Sequence, residues 1–332
     1  MMIMKKTILF ISTALLTMLT ACSSGVTINE TNFPDENFRN YLLTQDYGED
    51  GVLTDDEIAG VTELILNEKS IQSLKGIECF TALTGLNCAG NQLTSLDLSK
   101  NTELTLMMCA NNQLTSLDLS KNTALTDVNC SFNQLTLLDV SGCTALTLLM
   151  CYDNCLTSLD VSGCTALTSL MCTDNQLTSL DMSKCTALTL LYGHTNELTS
   201  LDVSKCTALE TLTCDDNQLT SLDVSKCTAL EILLCGYNQL TSLDVSKCTA
   251  LTSLGCSGNQ LTSLDVSKCT KLETLSCCGN QIKGAEMDAF VNSLPTVTEG
   301  ELKVIDSQGD EQNVMTSSQV AAAKAKGWIP KN

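Results

Sequence analysis

The chain has 332 residues, with 18 Lys plus Arg against 38 Asp plus Glu and a formal net charge of −20. It has no basic cluster to displace counterions from a phosphate backbone, which argues against a nucleic-acid partner. Twenty Cys, one His, one Trp and only 4% aromatic residues, beside an excess of Leu, Thr and Ser, signal internal repetition. The acidity suits an exported protein that must stay soluble.

At the start of the chain, Lys5 and Lys6 precede an apolar run from Thr7 to Leu19. A charge followed by a short apolar stretch is a secretion signal, whereas a spanning helix needs roughly 20 apolar residues. The run ends in Leu19-Thr20-Ala21-Cys22, which resembles the lipobox of bacterial lipoproteins. That resemblance implies cleavage before Cys22, a diacylglycerol on its thiol and acylation of the new amino terminus. Several acyl chains anchor stably, since each buried CH₂ contributes about 0.8 kcal/mol. Ser23 after the cysteine, by resemblance to Gram-negative lipoproteins, disfavours retention in the inner membrane. Residues 1–21 are therefore read as a signal peptide. The membrane is one expected partner, and the expected location is the cell envelope, at the surface or outer membrane. The bland alternative is an ordinary signal peptide with an incidental cysteine.

Residues 22–60 are read as a linker and N-terminal cap. Pro34, Asp35 and Glu36 suit a first helical turn, with Phe38, Tyr41 and Leu42 on one face. The segment from Asp46 to Glu57 resembles a twelve-residue EF-hand loop between two short helices. Asp46, Asp50, the Val52 carbonyl, Thr54 and Glu57 fall at ligand positions and Gly51 at the turn. Position three is Gly48, which has no side-chain oxygen, so any calcium binding should be weak. The other reading is a vestigial loop held by hydrogen bonds.

Residues 61–283 carry repeats. From Thr81 a 21-residue unit recurs in nine full copies to Cys269, a tenth begins at Thr270, and a divergent copy places Leu64, Leu66, Ile71 and Leu74 at template spacings. One copy, Thr165 to Cys185, reads TALTSLMCTDNQLTSLDMSKC. Its Leu167, Leu170, Cys172, Asn175 and Leu177 match the leucine-rich-repeat signature with Cys in place of the third Leu. One unit cannot bury its leucines alone, so stacked units must share an apolar column, each adding a strand to a parallel sheet. At about 4.8 Å per strand, ten coils span on the order of 50 Å. The asparagine in each unit, as at Asn154, Asn175 and Asn196, is expected to turn inward and bond backbone groups of adjacent coils. The NQLTSLDVS run and the L-x-C strand resemble the internalins, in particular the internalin J-like subclass. This implies a curved solenoid in contact with host or neighbouring surfaces. Two features depart from that pattern: anchoring is expected through N-terminal lipid rather than a C-terminal sortase signal, and the N-terminal cap differs.

Two cysteine ladders run through the repeats. Cys88, Cys109, Cys130, Cys151, Cys172, Cys214, Cys235, Cys256 and Cys277 share the eighth position, broken once by Gly193. Cys143, Cys164, Cys185, Cys206, Cys227, Cys248 and Cys269 share the last, where Asn101 and Asn122 stand earlier. Export usually means disulfides. However, parallel side chains about 4.8 Å apart fit poorly with the roughly 3.5–4.5 Å Cβ separation of a bridge. Both ladders are expected as reduced core thiols, with Cys155 and Cys278 the exposed ones. The seventeenth position is Asp in every full copy, as at Asp160 and Asp181, and the twentieth is usually Lys. This invariance reads as scaffold, with each Asp bonding turn N–H groups.

Residues 284–332 are read as a C-terminal cap. Met287, Phe290, Val291 and Leu294 have helical spacing before Pro295. Glu301 to Asp306 suits a strand, Ser317 or Ser318 a helix N-cap, and Trp328 and Ile329 docking on the last coil. The fold class is thus an α/β-type repeat: a solenoid with a parallel sheet on its concave face, a small helical N-terminal cap and an α/β C-terminal cap.

Side chains flanking the strand leucine and cysteine point out of the concave face, because they alternate along a strand. Those positions vary most. They hold Leu106, Met108, Asn129, Leu148, Met150, Tyr152, Met171, Tyr192, His194, Ile232 and Leu234, with Phe132 and Tyr237 just beyond. Asp153, Asp174, Asp215 and Asp216 edge the row. An apolar row with a polar margin marks a contact surface. The competing reading is drift at unconstrained positions, or cover by another segment. No nucleophile elbow, HExxH pair or Cys-His arrangement appears outside the repeats, and His194 stands alone, so no enzyme is expected. The expectation is a monomeric binding module or adhesin for a protein or glycan, with a structural or nutrient-capture envelope lipoprotein acting beside a membrane partner as the alternative.

Overall fold

The computed structural model describes residues 25–305 and 312–331. Cys22 and the signal segment lie outside the described residues. Among those described, no helix is long and apolar enough to cross a membrane.

Each coil contributes one three-residue strand to a thirteen-stranded parallel sheet, in sequence order from Glu63–Ile65 to the C-terminal strands. Register follows the repeat without slip: Ser169, Leu170 and Met171 pair with Leu190, Leu191 and Tyr192 of the next coil. The middle residue of every strand is buried and its neighbours are mostly half-exposed, so one face of the sheet is core and the other is open. In the Thr165–Cys185 coil, Leu167, Leu170, Cys172, Leu177, Leu180, Met182 and Cys185 are all buried in one continuous core. A buried side chain of this kind stabilises by roughly 1.5–3 kcal/mol. No coil could keep that burial without neighbours.

The asparagines turn inward as expected. Asn175 Oδ1 accepts from Leu156 N at 2.9 Å, while Nδ2 donates to the carbonyls of Cys151 at 3.0 Å and Cys172 at 3.1 Å. The Cys172 carbonyl also accepts from Asn196 at 3.0 Å, so each strand cysteine carbonyl is clamped by two amides from successive coils. The cysteines of the described residues are free thiols. The second ladder does more than fill space. Asn122 donates to Leu98 and Asn101 carbonyls, and Cys143 one coil on points its thiol at the equivalent carbonyls of Leu119, at 3.4 Å, and Asn122. The side-chain oxygens of Asn101 and Asn122 are buried without a partner. A thiol supplies the weak donor and has no second group demanding satisfaction. The Asp stripe forms the expected turns: Asp181 Oδ1 accepts from Ser183 N at 2.8 Å, and these bonds to Ser183 hold its carboxyl below the usual range.

The caps close both ends. Helix α1 (Glu36–Leu43) starts at Asp35, whose Oδ1 accepts from Phe38 N. The other Asp35 oxygen accepts from Gln72 N at 2.7 Å and so ties the cap to the first coil. Phe38 and Leu42 are buried, and Tyr41 is partly buried against the core. At the far end α3 (Ala285–Ser293) buries Met287, Phe290 and Val291, with Leu294 buried just after it. The strand after it runs Gly300–Lys303, shorter than expected, and Asp306 lies outside the described residues. Helix α4 (Ser317–Ala325) is capped by Thr316, not by Ser317 or Ser318. Thr316 shares a capping box with Gln319, which satisfies two orphan groups where a serine one step later would satisfy neither. Trp328 docks fully and donates to the Pro295 carbonyl at 2.8 Å, but Ile329, one step along the same strand, points away and is 46% exposed. Asn313 extends the asparagine ladder beyond the repeats: it accepts from Ile282 N and donates to the carbonyls of Cys277 and Val304.

Candidate concave-face binding site

The open face of the sheet carries the row read from the sequence. Leu106, Met108, Asn129, Leu148, Met150, Met171, Tyr192, Ile232 and Leu234 are half-exposed on the strands, and Tyr152 and His194 are half-exposed one step beyond the ladder cysteine. Leu190 belongs to the same face and was missed, although it sits at the register of Leu148 and Ile232. The apolar members concentrate in the middle coils. Asp127, Ser169, Thr211 and Ser253 interrupt them at the first strand position.

Phe132 and Tyr237 lie at the step where the chain leaves the sheet. The backbone there is left-handed in successive coils: Asn111, Phe132, Asp153, Asp174, Thr195, Asp216 and Tyr237 have φ between 50 and 56°, and Gly90, Gly258 and Gly279 have 64 to 67°. Gly, Asn and Asp tolerate this region, whereas a bulky side chain there costs roughly 1–2 kcal/mol. Phe132 and Tyr237 nevertheless occupy it and are 45% and 60% exposed. Phe132 packs edge-on to Tyr152 with ring centroids 5.2 Å apart.

His194 does not stand apart. Its Nδ1 lies 3.2 Å from Thr173 Oγ1 and 3.0 Å from Thr213 Oγ1, which fixes the ring across three coils. Burial pushes the neighbouring Asp215 carboxyl up, opposed by its own backbone N–H and by His194, and one of its side-chain oxygens is buried without a partner. Asp153 is also raised, by burial and then by Asp174.

The thiols expected at the surface are placed differently. Cys155 is half-buried, but Cys278 is only 5% exposed and bonds Ser257 Oγ at 3.3 Å. It stands one step past the ladder, where small side chains fold back onto the coil beneath. Cys79, in the 3-10 turn Ile77–Cys79 before the first full repeat, is the half-exposed thiol that the repeat template gave no reason to single out.

In the N-terminal loop, α2 (Asp55–Gly60) is capped by Thr54, and Glu57 Oε2 accepts from both Thr54 N and Thr54 Oγ1 at 2.8 Å. Asp50 Oδ1 accepts from Val52 N, and Val52–Leu53 pairs with Val26–Thr27. The described residues contain no group of three or more His, Cys, Asp or Glu placed to share a metal ion. Of the residues at the calcium-ligand positions Asp46, Asp50, Val52, Thr54 and Glu57, Thr54 Oγ1 and Glu57 Oε2 bond each other in the cap of α2.

Comparison with known proteins agrees with this architecture. A family model of leucine-rich repeats in two copies matches residues 249–290, and a single-repeat model matches residues 110–128. Internalin J of Listeria monocytogenes serotype 4b is 38% identical over 71 residues, a match spanning 21% of this chain and 8% of that protein. The solved functional domain of internalin J from Listeria monocytogenes, which includes a cysteine ladder, superposes with a TM-score of 0.60 at 30% identity, covering 85% of this chain and 76% of that one. Internalin F of the same species shares the fold, with a TM-score of 0.68 at 22% identity over 94% of this chain and 98% of that one. With its 21-residue coils, strand cysteines and asparagine ladder, the chain belongs to the internalin family of leucine-rich-repeat proteins, in the cysteine-ladder form.

Proposed function

We propose that this protein is a lipid-anchored binding module of the cell envelope, an adhesin that takes a protein or glycan ligand on its concave face. One observation carries the reading. The face collects Met150, Met171, Tyr192 and the Phe132–Tyr152 pair on adjacent coils, with Phe132 held in a backbone conformation unfavourable to it. Buried aromatic anchors with a polar margin dominate interface energetics, and here Asp153, Asp174 and the Thr/Ser positions supply the margin. The tether at Cys22 would place the N-terminal cap toward the membrane and leave the coils free.

The test is capture from host mucus and from glycan arrays by residues 23–332, with Tyr152, Met171 and Tyr192 replaced together by Ser alongside. A partner held by the parent and lost by the variant, at matched melting temperature, is the expected result. Equal capture by both would discard the concave site. The anchor is tested by envelope fractionation: Cys22→Ser should move the protein from the membrane to the soluble fraction, and an unchanged distribution would remove the lipid from the proposal.

A further inference from the structure

Toward the C-terminal end of the concave face the row of large side chains stops. Where earlier coils carry Tyr152, Thr173 and His194, this coil has Gly236, and the next strand has Gly255 where others carry Met171, Tyr192 and Leu234. The two missing side chains leave a hollow of about 220 Å³. A Cβ on Gly236 would stand 2.9 Å from the Ser257 carbonyl oxygen, and one on Gly255 would stand 2.9 Å from Leu234 Cδ2, so both positions are too close to their neighbours for a side chain without a shift.

The walls differ in character. Tyr237, 60% exposed and strained at φ 50°, stands with Leu234 on the apolar side. Asp215, Ser257, Ser276 and Lys303 line the remainder. Asp215 Oδ1 is buried and has no hydrogen-bond partner. Ser257 and Ser276 share a bond at 2.8 Å, which uses one hydroxyl proton and leaves the other for a ligand.

We infer that this hollow is a subsite for one neutral sugar ring, stacked on Tyr237 and hydrogen-bonded to Asp215 and the Ser257–Ser276 pair. The volume is below the roughly 300–1,000 Å³ of a drug-sized pocket, so it suits one ring rather than several. An aromatic ring and mixed donors and acceptors lining one hollow match a polyol, which has an apolar C–H face and hydroxyls that both give and take protons. A basic side chain would satisfy Asp215 but waste the serine proton. An anion would meet Asp215. The sugar is either free or carried on a glycoprotein; the ring chemistry is the same.

The inference rests on the concave-face reading, and its test is separable from that reading. Methyl glycosides of glucose, galactose, mannose and N-acetylglucosamine are offered to residues 23–332 in saturation-transfer NMR, with acetyl-arginine methylamide as the basic competitor. Saturation of at least one glycoside is expected. Tyr237→Asn should weaken it by about tenfold, equivalent to about 1.4 kcal/mol. The same variant should melt no lower than the parent, because Asn tolerates the left-handed backbone, as Asn111 already does. The Tyr152/Met171/Tyr192→Ser variant should bind the glycoside unchanged. No saturation of any glycoside, or saturation indifferent to Tyr237→Asn, overturns the subsite. Tyr237-dependent binding of the arginine probe alone reassigns it to a basic peptide. If partner capture is lost in the triple variant while no glycoside binds, the concave site stands and the sugar subsite falls.

Discussion

Raising the pH from 8 to 10 should unfold the solenoid cooperatively, with most of the lost stability traced to the buried cysteines of both ladders. Burial pushes the thiols of Cys88, Cys130, Cys172 and Cys256 up to about 12, from an ordinary value of 9.0. Cys109, Cys151 and Cys235 are raised as well, by burial and then by neighbouring ladder thiols. A thiol with a raised folded-state pKa keeps its proton longer when folded than when unfolded. Its contribution to stability is therefore whole below pH 9 and is lost as pH climbs toward the folded value. At pH 10, one unit above the ordinary value, each such group forfeits about 1.4 kcal/mol. Four of them forfeit about 6 kcal/mol, which is comparable with the roughly 5–15 kcal/mol that holds a typical domain. Urea unfolding at a series of pH values checks this. The slope of stability against pH should correspond to release of several protons per molecule near pH 10, and Cys130→Ala with Cys172→Ala should lower that proton count by about two. A flat profile from pH 8 to 10 would mean that the ladder thiols are not buried as described.

The second large effect is expected from Asn175→Ala. The substitution removes every bond made by its amide: Leu156 N loses its acceptor, and the Cys151, Cys172 and Thr173 carbonyls each lose a donor. The carbonyls keep other partners, since Cys151 O still accepts from Asn154 and Cys172 O from Asn196. The Leu156 N–H is left orphaned in a buried site. The orphaned Leu156 N–H costs about 1–3 kcal/mol and the bonds of the two amide protons about 1 kcal/mol each, so a loss of about 3–5 kcal/mol is expected. Because coils couple only to neighbours, a break in mid-solenoid should also split one unfolding transition into two. Hydrogen exchange at the Leu156 amide should accelerate while strand amides three coils away keep their protection. A melting temperature like that of the exposed control Gln176→Ala would show the asparagine ladder to be dispensable.

Much of the fold was legible because a solenoid is a local code repeated. The spacing of Leu167, Leu170, Cys172, Asn175 and Leu177 determines which side chains enter the core, and repetition at 21 residues determines register, with no long-range contact left to guess. The outward row followed from alternation along each strand, so Met171 and Tyr192 were found by counting. The Leu19-Thr20-Ala21-Cys22 run, which resembles a lipobox, is likewise a feature of sequence alone.

Tertiary structure decided what alternation cannot reach. The left-handed step that strains Phe132 and Tyr237 was hinted at by Gly90, Asn111, Asp153, Asp174, Asp216, Gly258 and Gly279 at one repeat position, but only the backbone shows that the aromatics share it. Cys278 turned inward because Ser257 of the coil beneath offers it a partner, and Thr316 rather than Ser317 capped α4 because Gln319 lies in reach. The hollow beside Tyr237 exists because Gly236 and Gly255, at different positions of consecutive coils, come side by side when the coils stack. A periodic sequence determines the column and its two faces, since each coil repeats the same burial. Where two coils meet, the shape of the surface depends on which exceptions fall side by side, and only stacking brings them together.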